Sequence, residues 1–318
     1  MSVALTVILF VVGLLCIIKG GDWFVDSAAW MAEVSGIPKF IVGSTIVSVA
    51  TTLPELITSI IATAQGKVDL AVGNAVGSVT ANTALILGVS LIFMAGAIKR
   101  REFVPKALIL IASAGALFAI TLFTGSVGIA GGVVMLVIFA VYLVENITSA
   151  KKTMESKENR TPFDKKELPK RLLFFALGTA GIIVGANLLV DNGSALALLL
   201  GVPESVVALT LVAIGTSLPE LVTAITAIVK KQGMLSVGNI IGANIIDLTL
   251  ILPVCSLVSG GTLTVSPQTW RLDLPVCLGA TLVAMVIPMI AKKFYRWQGA
   301  VLVAGYAAYM AVLVLVVA

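Results

Sequence analysis

Long uninterrupted apolar runs are the feature that most narrows what this chain can become. Val3 to Ile18, Ala107 to Phe123 and Val301 to Ala318 are each about as long as a helix needs to cross a hydrocarbon core of roughly 30 Å. A mean hydropathy of +1.11, with 59% apolar and only 12% charged residues, lies far outside the range of a soluble domain. Period-two alternation is missing, which excludes a membrane β-barrel. The spans read as 2–34, 40–66, 69–97, 103–123 and 126–149, then 171–199, 205–230, 234–259, 270–290 and 296–317. The predicted class is an all-α integral membrane protein with ten transmembrane helices.

Those ten spans fall into two sets of five, and the halves match one another. A shift of 165 residues brings Gly20, Val25, Asp26, Gly36 and Pro38 onto Gly185, Val190, Asp191, Gly201 and Pro203. Further along, Thr51, Leu53, Pro54, Glu55 and Leu56 fall on Thr216, Leu218, Pro219, Glu220 and Leu221. Between 40–88 and 205–253, 19 of 49 positions are identical, several-fold more than shared apolar composition supplies, so the chain is a duplication. Five crossings per half force the second half to enter from the opposite face, the inverted arrangement of many secondary transporters. The expected organisation is a first five-helix repeat at 1–149, a mobile cytoplasmic linker at 150–170 and a second, inverted repeat at 171–318. The first apolar run reads as a retained helix rather than a signal peptide, because its counterpart recurs mid-chain.

With the N-terminus outside, the inner loops hold 18 of the 21 Lys and Arg residues, including Lys39, Lys106, Lys230 and Lys231. The bias predicts both termini outside and a cytoplasmic linker in a cell membrane. The net charge of +5 is thus an orientation signal and not a nucleic-acid footprint. Trp270, Tyr295 and Trp297 sit at helix ends as interfacial anchors. Cys16, Cys255 and Cys277 lack metal-like spacing and read as inert buried thiols. The absence of histidine removes the usual proton relay and the commonest transition-metal ligand.

Most acidic residues lie in loops or near span ends. Glu55 and Glu220 lie mid-span at equivalent positions, where a carboxylate costs on the order of 3 kcal/mol unless it faces a cavity or a partner. Neither span offers a basic residue at matching depth, so a cation from solution is the natural counter-charge. Each glutamate follows a proline, Pro54 or Pro219, whose missing N–H leaves carbonyls near Ala50 and Thr51, and near Gly215 and Thr216, without helical partners. This predicts broken helices at the second and seventh spans, tolerated at membrane depth only beside a cavity. Carbonyls, hydroxyls and a carboxylate form the all-oxygen set that hard cations require. The next span of each half brings Gly73, Asn74 and Gly77, and Gly238, Asn239 and Gly242. Glycines four apart permit close helix approach. Asn74, Ser78 and Asn82 share one helix face, as do Asn239, Ala243 and Asp247, so the third and eighth spans complete the expected set of broken helices. Asp22, Asp26 and Asp191, beside small-residue segments, fit either an entrance or simple interfacial solvation.

The duplicated motifs, Ala-Thr-Thr-Leu-Pro-Glu and Gly-Thr-Ser-Leu-Pro-Glu with Gly-Asn-x-x-Gly, resemble those of the sodium/calcium exchangers of the calcium/cation antiporter superfamily, in a compact prokaryotic form. The resemblance implies a calcium site from Glu55 and Glu220 with the carbonyls of Thr51 and Thr216. It implies sodium sites from Thr52, Ser217, Ser78, Asn82 and Asp247 with the carbonyls of Ser48 and Ala213. It further implies alternating access, the first and sixth spans sliding against the other eight, with no cofactor, no enzymatic activity and a monomeric working unit. Ala243 departs from the family pattern by replacing the serine expected opposite Ser78.

Charge counting fits this cargo: two glutamates balance one calcium ion, and an ionised Asp247 would let three sodium ions be matched. A proton-coupled antiporter would carry an acidic residue after Gly-Asn and histidines near the site, where this chain has Gly77, Gly242 and no histidine. A potassium-dependent exchanger stays open, since Asp247 resembles that branch in one half. An intramembrane hydrolase would need a nucleophile and base that the Pro-Glu pair does not provide. A passive cation channel differs in needing no counter-ion.

Overall fold

The computed structural model describes residues 2–155, 166–200 and 215–317. The helices are α1 (Val3–Ser35), α2 (Lys39–Ala64), α3 (Val68–Met94), α4 (Arg100–Thr124), α5 (Ile129–Glu155), α6 (Glu167–Leu199), α7 (Leu218–Val229), α8 (Gly233–Val258), α9 (Thr269–Ala291) and α10 (Arg296–Val317). Among the described residues nine of these are long and apolar enough to cross a membrane, and α7 is a shorter apolar helix of 12 residues. The protein is a multi-pass, helical membrane protein. The ends of α5 and α6 run into the stretch read as a linker, because Glu, Lys and Ala favour helix; residues 156–165 lie outside the described part.

The core is built around α8, in which every residue from Leu235 to Thr249 is buried. A membrane helix covered on every side by protein, with Asn239, Asn244 and Asp247 among its buried residues, belongs at the centre of its bundle. The first half of α2 packs on it backbone to backbone: a methyl group at Gly242 would stand 2.6 Å from Ser48 Oγ, and one at Gly238 would run into the Phe40 carbonyl. By contrast α1 and α6 lie at the periphery and pack chiefly on each other. A methyl group at Gly13 would meet the Gly185 carbonyl oxygen at 3.0 Å, and one at Gly20 that of Gly178 at 2.9 Å. Partner numbers fall as helix numbers rise, so these two helices, equivalent under the 165-residue shift, run antiparallel. Lipid offers no hydrophobic gain for such a contact, so small residues that let backbones touch supply it.

Two short main-chain pairings join the halves. Strands β1 (Ser126–Gly128) and β2 (Thr262–Thr264) are antiparallel, with Gly128 opposite Thr262, and an isolated bridge pairs Ala97 with Lys293. Moving Ala97 and Gly128 along by 165 residues gives Thr262 and Lys293, so the two pairings are one contact seen twice.

Among the described residues four membrane helices contain π-helical segments: Gly43–Val47 in α2, Ala81–Ile86 in α3, Asp247–Ile251 in α8 and Thr269–Asp273 at the start of α9. The interruptions expected in α2, α3 and α8 thus take the form of widened turns rather than gaps. In α2 the α-helix runs from Ser48 to Ala64 with Pro54 inside it. In the second half the chain turns at Thr216 and Ser217, and α7 starts at Leu218 with Pro219 in its first turn, where proline has no helical bond to lose.

Candidate ion-binding site

Glu55 on α2, Glu220 on α7 and Asp247 on α8 are each 1% exposed. Among the described residues none of their six carboxylate oxygens has a hydrogen-bond partner. The three are close enough to repel: Glu55 feels both Glu220 and Asp247, and Asp247 feels Glu220. Around them Ser78 Oγ, Ser217 Oγ and both amide atoms of Asn82 are also buried and unpartnered. An orphaned buried polar atom costs about 1–3 kcal/mol and a charged one more, so this gathering is stable only with positive charge among its oxygens. Among the described residues no three acidic, thiol or imidazole groups form a metal cluster by themselves. Hydroxyl, amide and carbonyl oxygens must therefore complete any shell, which suits hard cations.

Neighbouring polar residues hold the frame. Thr52 donates its hydroxyl to the Ser48 carbonyl at 2.7 Å, leaving that oxygen a second lone pair. The Thr51 hydroxyl donates to Oδ1 of Asn239 at 3.1 Å, tying α2 to α8. Asn74 donates to the Glu55 carbonyl at 3.3 Å and to Ser59 Oγ at 2.9 Å, tying α3 to α2. Asn74 and Asn239 thus link neighbouring helices beside the carboxylates. The backbone of α2 lies directly against Gly238 and Gly242. Among the described residues nothing lies against Gly73 or Gly77, and the segment the repeat would put there, 205–213, is outside those residues, as is Ala213.

Each side of the centre has a feature that motifs did not reveal. The π segments at Asn82 and Asp247 fall on equivalent turns of α3 and α8, and such bulges free main-chain groups at functional sites. The π segment of α2 is held by α5: the Tyr142 hydroxyl donates to the Ser44 carbonyl, and Ser44 Oγ donates to Asn146 Oδ1 at 3.3 Å. Asn244 donates to Thr83 Oγ1 at 2.7 Å, joining α8 to α3. Lys106, counted from sequence among the inner-loop cations, is fully buried, with Nζ 2.5 Å from Glu145 Oε2 and above the Phe40 ring. A cavity of about 130 Å³ reaches this region, lined by Pro54, Thr58, Asn187, Asp191, Thr216 and Pro219.

The family model for the sodium/calcium exchanger protein matches residues 5–148 and 170–315. The inner membrane protein YrbG of Escherichia coli is 33% identical, over 96% of this chain and 95% of that one. The sodium/calcium exchanger MaX1 of Methanosarcina acetivorans is 29% identical, over 96% and 97%. A structure of the sodium-calcium exchanger NCX_Mj, soaked with sodium and strontium, superposes with a TM-score of 0.84 at 29% identity, covering 98% of this chain and 99% of that one. With the family model matched across both halves and a relative aligned end to end at 33% identity, the chain belongs to the sodium/calcium exchanger protein family.

Proposed function

We propose that the chain is a secondary active antiporter that exchanges sodium for calcium across the cell membrane by alternating access. The observation that carries this is the convergence of three buried carboxylates, from α2, α7 and α8, whose six oxygens find no donor among the described residues. Glu55 and Glu220, with the carbonyls of Thr51 and Thr216, bind calcium. Thr52, Ser78, Asn82, Ser217 and Asp247, with the carbonyls of Ser48 and Ala213, bind sodium. Because these shells share helices and charge, the two cargoes compete, and only a neutralised site crosses the membrane occluded.

The chain works as ten spans in two inverted units, 1–149 and 171–318, with both termini outside, the joining segment cytoplasmic and one copy sufficient. Supporting this reading are the antiparallel crossing of α1 and α6, the paired relation of the two main-chain bridges and the basic-residue bias. The mobile part is the α1–α6 pair, packed chiefly on itself, moving against the other helices.

The test is transport by the purified chain in proteoliposomes loaded with sodium, following uptake of labelled calcium. Uptake that collapses when internal sodium is removed, but not when potassium or a proton gradient is removed, is the expected result. Uptake indifferent to internal sodium would sink the reading and leave a channel or another coupling ion.

A further inference from the structure

Asp22 and Asp26 lie one helical turn apart on α1, on one face. Both are engaged by a single lysine from another helix: Lys230, directly after α7, has Nζ 3.2 Å from Asp22 Oδ1 and 2.8 Å from Asp26 Oδ2. Lys230 is at the end of the helix that carries Glu220, ten residues away and so about 15 Å along the axis. The bridge therefore spans the seam between a peripheral helix and a helix of the ion site.

The packing beneath this bridge is uneven. Gly21 lies so close to α7 that a methyl group there would be 2.7 Å from Thr226 Oγ1, and Ala227 is buried with Phe24, Val25 and Ala28. Beside that contact is a cavity of about 330 Å³ lined by Ile17, Ile18, Asp22, Val222, Ile225 and Val229. The cavity leaves α1 and α7 apart on one side of that contact, and the two ion pairs bridge the helices at its edge. Partial burial opposes the Lys230 charge, but the hydrogen bonds to Asp26 and then Asp22 outweigh it and hold the ammonium above the ordinary lysine range.

The repeat supplies an internal control. The counterparts of Asp22, Asp26 and Lys230 are Asn187, Asp191 and Gln65. Among the described residues Asp191 makes no ion pair, and Asn187 and Asp191 instead line the cavity that reaches Thr216, Pro54 and Pro219. Asp22 and Asp26 are bridged by a lysine; among the described residues their mirror positions are not.

We infer that Lys230 is an inner gate: its ammonium, bound by Asp22 and Asp26, clamps α1 to α7 on the cytoplasmic side. It acts as a tethered cation that an arriving sodium or calcium ion must displace. The clamp closes one face while the opposite one, which has glutamine in place of the lysine, admits ions past Asp191. This rests on the exchanger reading for its cargo and on the basic-residue bias for its sidedness.

The experiment uses the full chain in proteoliposomes, with Cys16, Cys255 and Cys277 replaced by alanine and Ala227→Cys placed behind the clamp. A membrane-impermeant maleimide is added from the cytoplasmic side in buffer free of sodium and calcium. Lys230→Gln is expected to raise the labelling rate by up to about fivefold, as loss of a partly exposed bridge worth about 1 kcal/mol allows, and Lys230→Arg to keep it near the parent rate. Equal rates for Lys230→Gln and parent would overturn the gate. On the chain with its native cysteines and Ala227, Lys230→Gln should lower the sodium half-saturation on the cytoplasmic side about threefold and leave the outer side unchanged; equal changes on both sides would also overturn it. Labelling needs no transport, so a parent that labels as expected but shows no sodium-dependent calcium flux would refute the exchanger reading and not the clamp.

Discussion

The two helices that carry the glutamates begin from the same motif and end in different backbones. Around Glu55, α2 is continuous: a π segment at Gly43–Val47 passes into an α-helix with Pro54 inside it. Around Glu220, the chain turns at Thr216 and Ser217, and α7 begins at once. Glu220 therefore lies in the first turn of a helix, where the dipole favours negative charge. Glu55 lies within a helix, where it gains no such help. Equal charge chemistry is thus mounted on unequal supports, and the first half adds the Tyr142 and Asn146 contacts to steady its π segment. A duplicated motif fixes which atoms meet, while neighbouring helices decide how each backbone presents them.

The strongest way to break this comparison is to remove the charges. Glu55→Gln and Glu220→Gln should each cut sodium-driven calcium uptake by about 100-fold or more, in the manner of losing an interaction essential to the transported state. If one variant kept near-normal uptake, that glutamate would leave the site and the halves would not be equivalent in function. The next effect concerns the first half alone. Tyr142→Phe removes the donor to the buried Ser44 carbonyl and should lower stability by about 1–3 kcal/mol, read as a fall in the melting temperature of the purified chain. An unchanged melting temperature would mean that the π segment needs no support from α5.

The prolines sharpen the contrast. Pro54→Ala gives Ala50 a helical N–H to bind and should slow exchange about tenfold, whereas Pro219→Ala, in the first turn, should change it by less than about twofold. Initial rates of calcium uptake would show the ranking, and the reverse order would refute the backbone account. The smallest effect belongs to Ala243, buried where the other half has Ser78. Ala243→Ser should lower the sodium half-saturation about threefold, of the order of one net hydrogen-bond-like contact. No shift would remove that position from the sodium shell.

Much of this could be read from residues because membrane burial makes a carboxylate conspicuous. Glu55 and Glu220 stood out by depth and by duplication, and Asn74, Asn239, Gly238 and Gly242 by spacing. The π segments left no comparable mark, since nothing in the sequences of Ala81–Ile86 and Asp247–Ile251 separates a π turn from an α turn. Lys106 was misplaced for a related reason. Its neighbours Arg100 and Arg101 are exposed, and only the cover of Phe40 and Glu145 turns the next basic residue into a buried one. Tertiary cover of this kind is not written in local periodicity.

The paired bridges, Gly128 with Thr262 and Ala97 with Lys293, have a further consequence for how such a chain drifts in evolution. Both are made from main-chain N–H and C=O groups, so they persist through most side-chain replacements in those loops. The helices on either side of these loops stay riveted together at two symmetry-related corners even as the loop sequences diverge. Substitutions there should be tolerated freely, except those to proline, which would pull a rivet.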